Sequence, residues 1–187
     1  HVTNFNVRHN GRLFYNTGRR INNGLIKLGH TVQTLSDRDT VSQERKIIDL
    51  YGSKSLNNKF LDIVGNFNPN LIILGHADAI SNISIEKIKN FYPSVKFCQW
   101  FLDKMDNNLW SINLGRFLKK MKYIDCSFCT THPSSLKILK NKNVYFIPNP
   151  VDDTFENLEH FKNKTFKHDL FFALSHGVHR GILKKGK

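Results

Sequence analysis

A carboxylate stands where a core strand ends. From Val95 to Leu102 the only charged or amide side chains are Lys96 and Gln99, and the run then stops at Asp103, followed by Lys104, Asp106, Asn107 and Asn108. A carboxylate at a strand end can take a proton from a substrate hydroxyl or orient it; Asp is equally a good turn former. Asn10-Gly11-Arg12 precedes a helical pattern, and backbone N–H groups at a helix start can hold an anion. The glycines there do not make a full G-x-G-x-x-G, and an ordinary tight turn uses the same residues. His76 closes the apolar run LIILG (71–75), and His132 sits in TTHPSS (130–135) just before Pro133. Both read as hydrogen-bonded loop or capping residues as readily as ligand contacts. Trp100 could stack on a sugar ring, but on a strand it packs under a helix.

Metal chemistry has little to work with. Cys126 and Cys129 form a C-x-x-C, but residues three apart on a strand face opposite sides, so the pair cannot converge on one ion. His176 and His179 have no matching ligand pair, and no metal is expected.

These residues need a scaffold that holds strand ends together. Apolar or small residues recur with helical spacing from Leu13 to Leu28, at Phe14, Gly18, Ile21, Leu25 and Leu28, and Gly29 is the natural cap. HVTNF (1–5) reads as the end of a strand and HTVQTL (30–35) as a second. Two helices follow within 41–66, broken at Gly52-Ser53. Strands are expected at 71–78, 95–102, 124–130 and 144–148, with helices starting at a Ser84 cap and spanning 114–122 and 133–139. Six near-continuous apolar strands alternating with helices predict a doubly wound parallel, Rossmann-like α/β sheet of order 3-2-1-4-5-6. Residues 1–152 would form this domain and 153–167 a linker; 168–187 would open a second, incomplete domain with a seventh strand at 168–175. In that order the first and fourth strands lie side by side, so Asn10–Arg12 and Asp103 face each other across the ligand crevice.

The 187 residues suffice for one well-packed domain, and no stretch approaches the roughly 18 apolar residues of a membrane span. No signal peptide is visible, and three cysteines cannot form a complete set of disulfides; both favour a reducing, cytoplasmic setting. The net charge of +13 raises nucleic acid, an anionic membrane surface and a Lys- and Asn-rich composition from AT-rich coding as explanations. Lys and Arg are scattered over several helices rather than gathered on one, which ranks nucleic acid last.

Four segments, NGRLFYNTGRRINNGLIKLGHTV (10–32), NLIILGH (70–76), QWFLD (99–103) and YFIPNPVD (145–152), together resemble the N-terminal domain of GT-B glycosyltransferases of the group 1 and spore-maturation-like families. The matching steps are Gly11, Gly29-His30-Thr31-Val32 and Asn149-Pro150-Val151-Asp152. The resemblance implies transfer of a sugar from a nucleotide-sugar donor to an acceptor hydroxyl, without a bound metal, in a cleft between two Rossmann-like domains. It implies Asp103 as the catalytic group, as base or orienting group according to stereochemical course. It places Asn10, Gly11, Arg12, His76 and His132 toward substrate. Arg180, with Lys184 or Lys185, would fall at donor phosphates, although a basic tail solvating the chain end explains these residues as well. Most of the donor domain is missing from these residues, so little or no turnover is expected of them alone. The alternative is a non-catalytic Rossmann-like module that binds phosphate or a nucleotide.

Overall fold

The computed structural model describes residues 1–45, 47–108, 112–165 and 167–170. Six parallel strands are β1 (Val2–Thr3), β2 (Leu35–Ser36), β3 (Leu71–Gly75), β4 (Lys96–Phe101), β5 (Cys126–Cys129) and β6 (Val144–Phe146). Five helices accompany them: α1 (Thr17–Lys27), α2 (Asp37–Gln43), α3 (Ser53–Phe67), α4 (Asn82–Phe91) and α5 (Ile112–Met121). The α/β, Rossmann-like arrangement is therefore present. The strand order is 2-1-3-4-5-6, not 3-2-1-4-5-6. β1 and β4 run in the same direction, but β3 lies between them, pairing Leu74 with Val2 on one side and with Gln99 on the other. The order reverses between β1 and β3, which moves the expected crevice one strand along.

The main core lies on one face of the sheet. Leu56, Phe60 and Val64 of α3 and Ile85 and Ile88 of α4 pack on Val2, Ile72, Leu74 and Phe97. Leu114 and Phe117 of α5 join Phe101, Cys129 and Val144 in a neighbouring cluster. Strand alternation sends Thr3, Gly75 and Trp100 to the other face, where α1 lies against β1. A Cβ on Gly18 would sit 2.6 Å from Thr3 Cγ2, so glycine permits that approach. Farther from α1 the second face is open: Leu71 is 44% and Tyr145 54% exposed.

Several local expectations change. The second strand is only Leu35–Ser36, because β1 offers just two residues to pair with. Helix α1 begins at Thr17, capped by Asn16, which accepts from Arg19 N–H; Gly11 (φ +87°) stays in a separate turn. The cap of α4 is Ser81, whose hydroxyl accepts from Ser84 N–H, rather than Ser84 itself. Residues 133–139 form two short 3-10 turns, Pro133–Ser135 and Lys137–Leu139, in place of a helix. As the alternation of strand side chains requires, Cys129 is buried in the core, while Cys126 faces the other side beside its register partner Cys98.

The chain divides into two compact units, 1–155 and 156–187. In the first, the buried Asp152 carboxylate accepts from Asn23 Nδ2 (2.6 Å), Lys27 Nζ (3.1 Å) and Thr154 N–H (3.0 Å), tying the Asn149–Asp152 step to α1. In the second, His160–Lys162 makes a 3-10 turn, and residues 168–170 carry no regular structure. The rest of the expected seventh strand, together with Arg180, Lys184 and Lys185, lies outside the described residues. Among the described residues, no helix is long and apolar enough to cross a membrane.

Candidate functional site

β3 and β4 deliver their C-terminal ends to the same place. Their register pairs Gly75 with Trp100, so His76 and Asp103 both emerge just past the sheet edge. His76 adopts a left-handed backbone (φ +48°), which costs a side-chain-bearing residue of order 1–2 kcal/mol. Its ring is held by what surrounds it: Phe101 lies 4.2 Å away, centroid to centroid, and Trp100 5.4 Å away, edge to face. Leu102 N–H donates to His76 Nε2 at 3.1 Å. Nε2 therefore holds a lone pair, and the neutral ring carries its proton on Nδ1. That atom faces Asp103 Oδ2 at 3.8 Å and Arg116 Nη2 at 3.3 Å. Burial lowers the His76 pKa; the Asp103 charge raises it and Arg116 lowers it further, so the ring is neutral near pH 7. With one nitrogen accepting from the backbone and the other protonated, His76 has no free lone pair to act as a base. It positions the end of β4.

Arg116, from α5, binds the cluster together. Its Nε and Nη2 donate to the Asp78 carboxylate at 3.1 and 2.6 Å, and its Nη1 donates to Asp103 Oδ2 at 3.3 Å. The hydrogen bonds to Asp78 hold its proton more firmly than usual, with the Asp103 charge adding to them. Arg38 closes the ring from α2, 3.5 Å from Asp78 Oδ2. Among the described residues Asp103 Oδ1 has no partner, and the side chain is 48% exposed. One oxygen is thus fixed by a guanidinium while the other faces solvent, an arrangement that can receive and orient a hydroxyl. Two arginines and two aspartates nearly cancel, so the cluster's own charge does not attract a polyanion.

Two further buried charges lie behind it. Asp37, at the start of α2, is fully buried and neither carboxylate oxygen makes a hydrogen bond. Burial pushes its pKa up to about 6. Lys120 Nζ donates to the Ile80 carbonyl at 2.7 Å, and burial brings its pKa down to about 8.

Of the residues singled out in the sequence, the structure brings His76 and Asp103 together. Asn10, Gly11 and Arg12 lie in the exposed turn after β1, and no described hydrogen bond or ion pair links them to the cluster. His132 caps the turn at Pro133: its Nδ1 accepts from Ser134 N–H at 3.3 Å and its ring lies 5.7 Å from Phe146. Arg116, Asp78 and Arg38 were not foreseen. Asp78 follows the GHA step closely enough to be found by scanning past the strand end; Arg116, on an amphipathic helix, carries no local signal. Among the described residues no three His, Cys, Asp or Glu side chains converge as a metal site requires.

A cavity of about 520 Å³ opens at the other edge of the sheet, around the start of β3, with Leu25, Phe60, Val64 and Ile72 in its wall. Its lining offers shape without convergent charge, so the chemistry is assigned to the His76–Asp103–Arg116 edge. No protein-family model, curated protein or solved structure matches the chain.

Proposed function

We propose that this chain is the acceptor-side half of a GT-B-type glycosyltransferase, with Asp103 receiving the acceptor hydroxyl. The observation that supports this most directly is the Asp103 carboxylate at the C-terminal edge of a parallel sheet, one oxygen paired with Arg116 and the other without a partner. In an inverting enzyme that oxygen would take the hydroxyl proton as the acceptor attacks the donor sugar; in a retaining one it would orient the acceptor. Arg116 keeps the carboxylate ionised and aimed, and His76 fixes the strand end through Leu102 N–H. The donor nucleotide would sit on a second domain. The support comes from this local geometry and not from adjacency of β1 and β4, since β3 separates them.

The rival reading, a phosphate- or nucleotide-binding module, fits less well because the cations of this edge are already matched by Asp78 and Asp103. Amide NMR of the 187-residue chain separates the two. Millimolar neutral monosaccharides should shift Gly75–Asp78 and Leu102–Asp103, and a nucleoside diphosphate should leave them unmoved. Shifts with the diphosphate and none with any sugar would replace the transferase reading by the module.

A further inference from the structure

The sheet has a strand-wide gap beneath β1. Val2 pairs with Leu74, so Ile73 stands level with His1, while Leu71 and Ile72 have no residue beside them on that side. On the opposite flank the ladder runs up to the first residue: the His1 amine donates to Gln33 O at 2.8 Å, and Leu35 N–H donates to His1 O at 3.0 Å. Below His1 the space between 31–33 and 71–73 is the cavity of about 520 Å³. Its side walls are therefore two stretches of extended chain, separated by one missing strand, or about 9–10 Å. Its roof and floor are helical: Leu25 of α1 on one face, Phe60 and Val64 of α3 on the other.

We propose that this gap is a strand-docking slot: an extended apolar segment of about three residues, joined through its last carbonyl to the His1 amine, fills it in parallel register and brings β1 to the length of β3. Alternation fixes which wall each side chain meets. The residue next to His1 shares the face of Val2 and points at Phe60 and Val64. The one before it shares the face of His1 and points at Leu25. Both positions call for β-branched or other apolar side chains. The amine itself agrees with this reading. As a free ammonium it is buried among strands, and burial brings its pKa down to about 6. As an amide N–H it would keep its bond to Gln33 O with no charge to desolvate. The slot also connects with the opposite edge, because the His1 ring accepts from Trp100 Nε1 at 3.1 Å and Trp100 packs on His76.

The test compares the 187-residue chain with versions carrying Val-Ile-Val or Asp-Gly-Asp ahead of His1, and with the unextended chain plus a blocked Val-Ile-Val peptide. The apolar extension should raise Tm by about 10 °C and slow amide exchange across Thr31–Gln33 and Leu71–Ile73 by at least about tenfold. The acidic extension should do neither. Val64→Phe, which fills the slot from α3, should remove the gain. Equal responses to the two extensions, no response to the apolar one, or a gain that survives Val64→Phe would overturn the proposal. A free peptide as effective as the joined one would assign the slot to a separate strand and overturn the covalent arrangement.

Discussion

Gly75 faces Trp100 across the β3–β4 pair with no room for a side chain. A Cβ there would stand 2.0 Å from Trp100 Cζ2, 2.1 Å from Cε2 and 2.6 Å from Nε1. Carbon atoms pack at about 3.5–4 Å, so in Gly75→Ala the indole must retreat by about 1.5 Å. It has nowhere to go: Trp100 is buried, lies beside His76 and His1, and donates its N–H to His1 Nε2. Overpacking of this kind costs about 1–3 kcal/mol, and loss of the indole hydrogen bond adds about 1 kcal/mol. For a chain of this size the sum corresponds to a Tm lower by about 5–15 °C. The control is a double-mutant cycle with Trp100→Leu. Without the indole the new methyl meets no obstacle, and replacing a strand glycine should then gain about 0.5–1 kcal/mol through backbone entropy. The effect of Gly75→Ala should therefore change sign between the two backgrounds, as read by thermal and urea unfolding. An equal cost in both would show that the tight contact is not the cause, and a wild-type Tm for Gly75→Ala alone would refute the packing outright.

Asp37 gives a pH signature. Its folded pKa, about 6, is above its ordinary value of 3.8, so the stability it contributes is fully present below about pH 4 and is lost as pH rises through 6. The span is about 3 kcal/mol at most. Asp37→Asn should lack that component of the slope in urea unfolding between pH 4 and 7, and an unchanged slope would show that the carboxyl is not titrating there. Arg116→Met removes a positive charge beside His76, whose pKa should then rise; imidazole NMR reads this directly, and no rise would mean the two groups are not coupled in solution. Asn23→Ala removes one of the donors to Asp152, so amide exchange at Thr154 should quicken by about tenfold while β3 and β4 stay protected. Uniform loss of protection would instead indicate global destabilisation.

The layered architecture was legible because each buried strand is written as an apolar run: LIILG and the stretch before Leu102 could hardly be anything else. Strand order was not, since nothing local in a βαβ unit states on which side of β1 the third strand will lie. Element ends were misplaced where partners rather than propensity decide them. Val32 and Thr34 have strand-like composition, yet pairing begins only at Leu35 because β1 is short. Around Pro133 a helical pattern three residues deep is satisfied by 3-10 turns, with His132 as cap. At the candidate site, Asp103 and His76 announced themselves by interrupting apolar runs. Arg38, Asp78 and Arg116 are spread over two helices and a loop, and only the folded chain brings them together.

The shift of the crevice by one strand changes why Asp103 matters. With β1 beside β4, Asp103 would face the loop after β1 directly. With β3 between them, the residue at the reversal point is His76, and its left-handed backbone places a buried, neutral ring where a catalytic base would be expected. That ring is committed on both nitrogens, so proton transfer falls to the carboxylate one strand away, which Arg116 reaches from α5 while also gripping Asp78 on the β3 side. Strand adjacency is thus replaced by a guanidinium bridge. Arg116→Met should consequently impair any function of Asp103 more than His76→Asn does, provided Asn still accepts from Leu102 N–H. The reverse ranking, in sugar-induced amide shifts at Asp103, would return the base to His76.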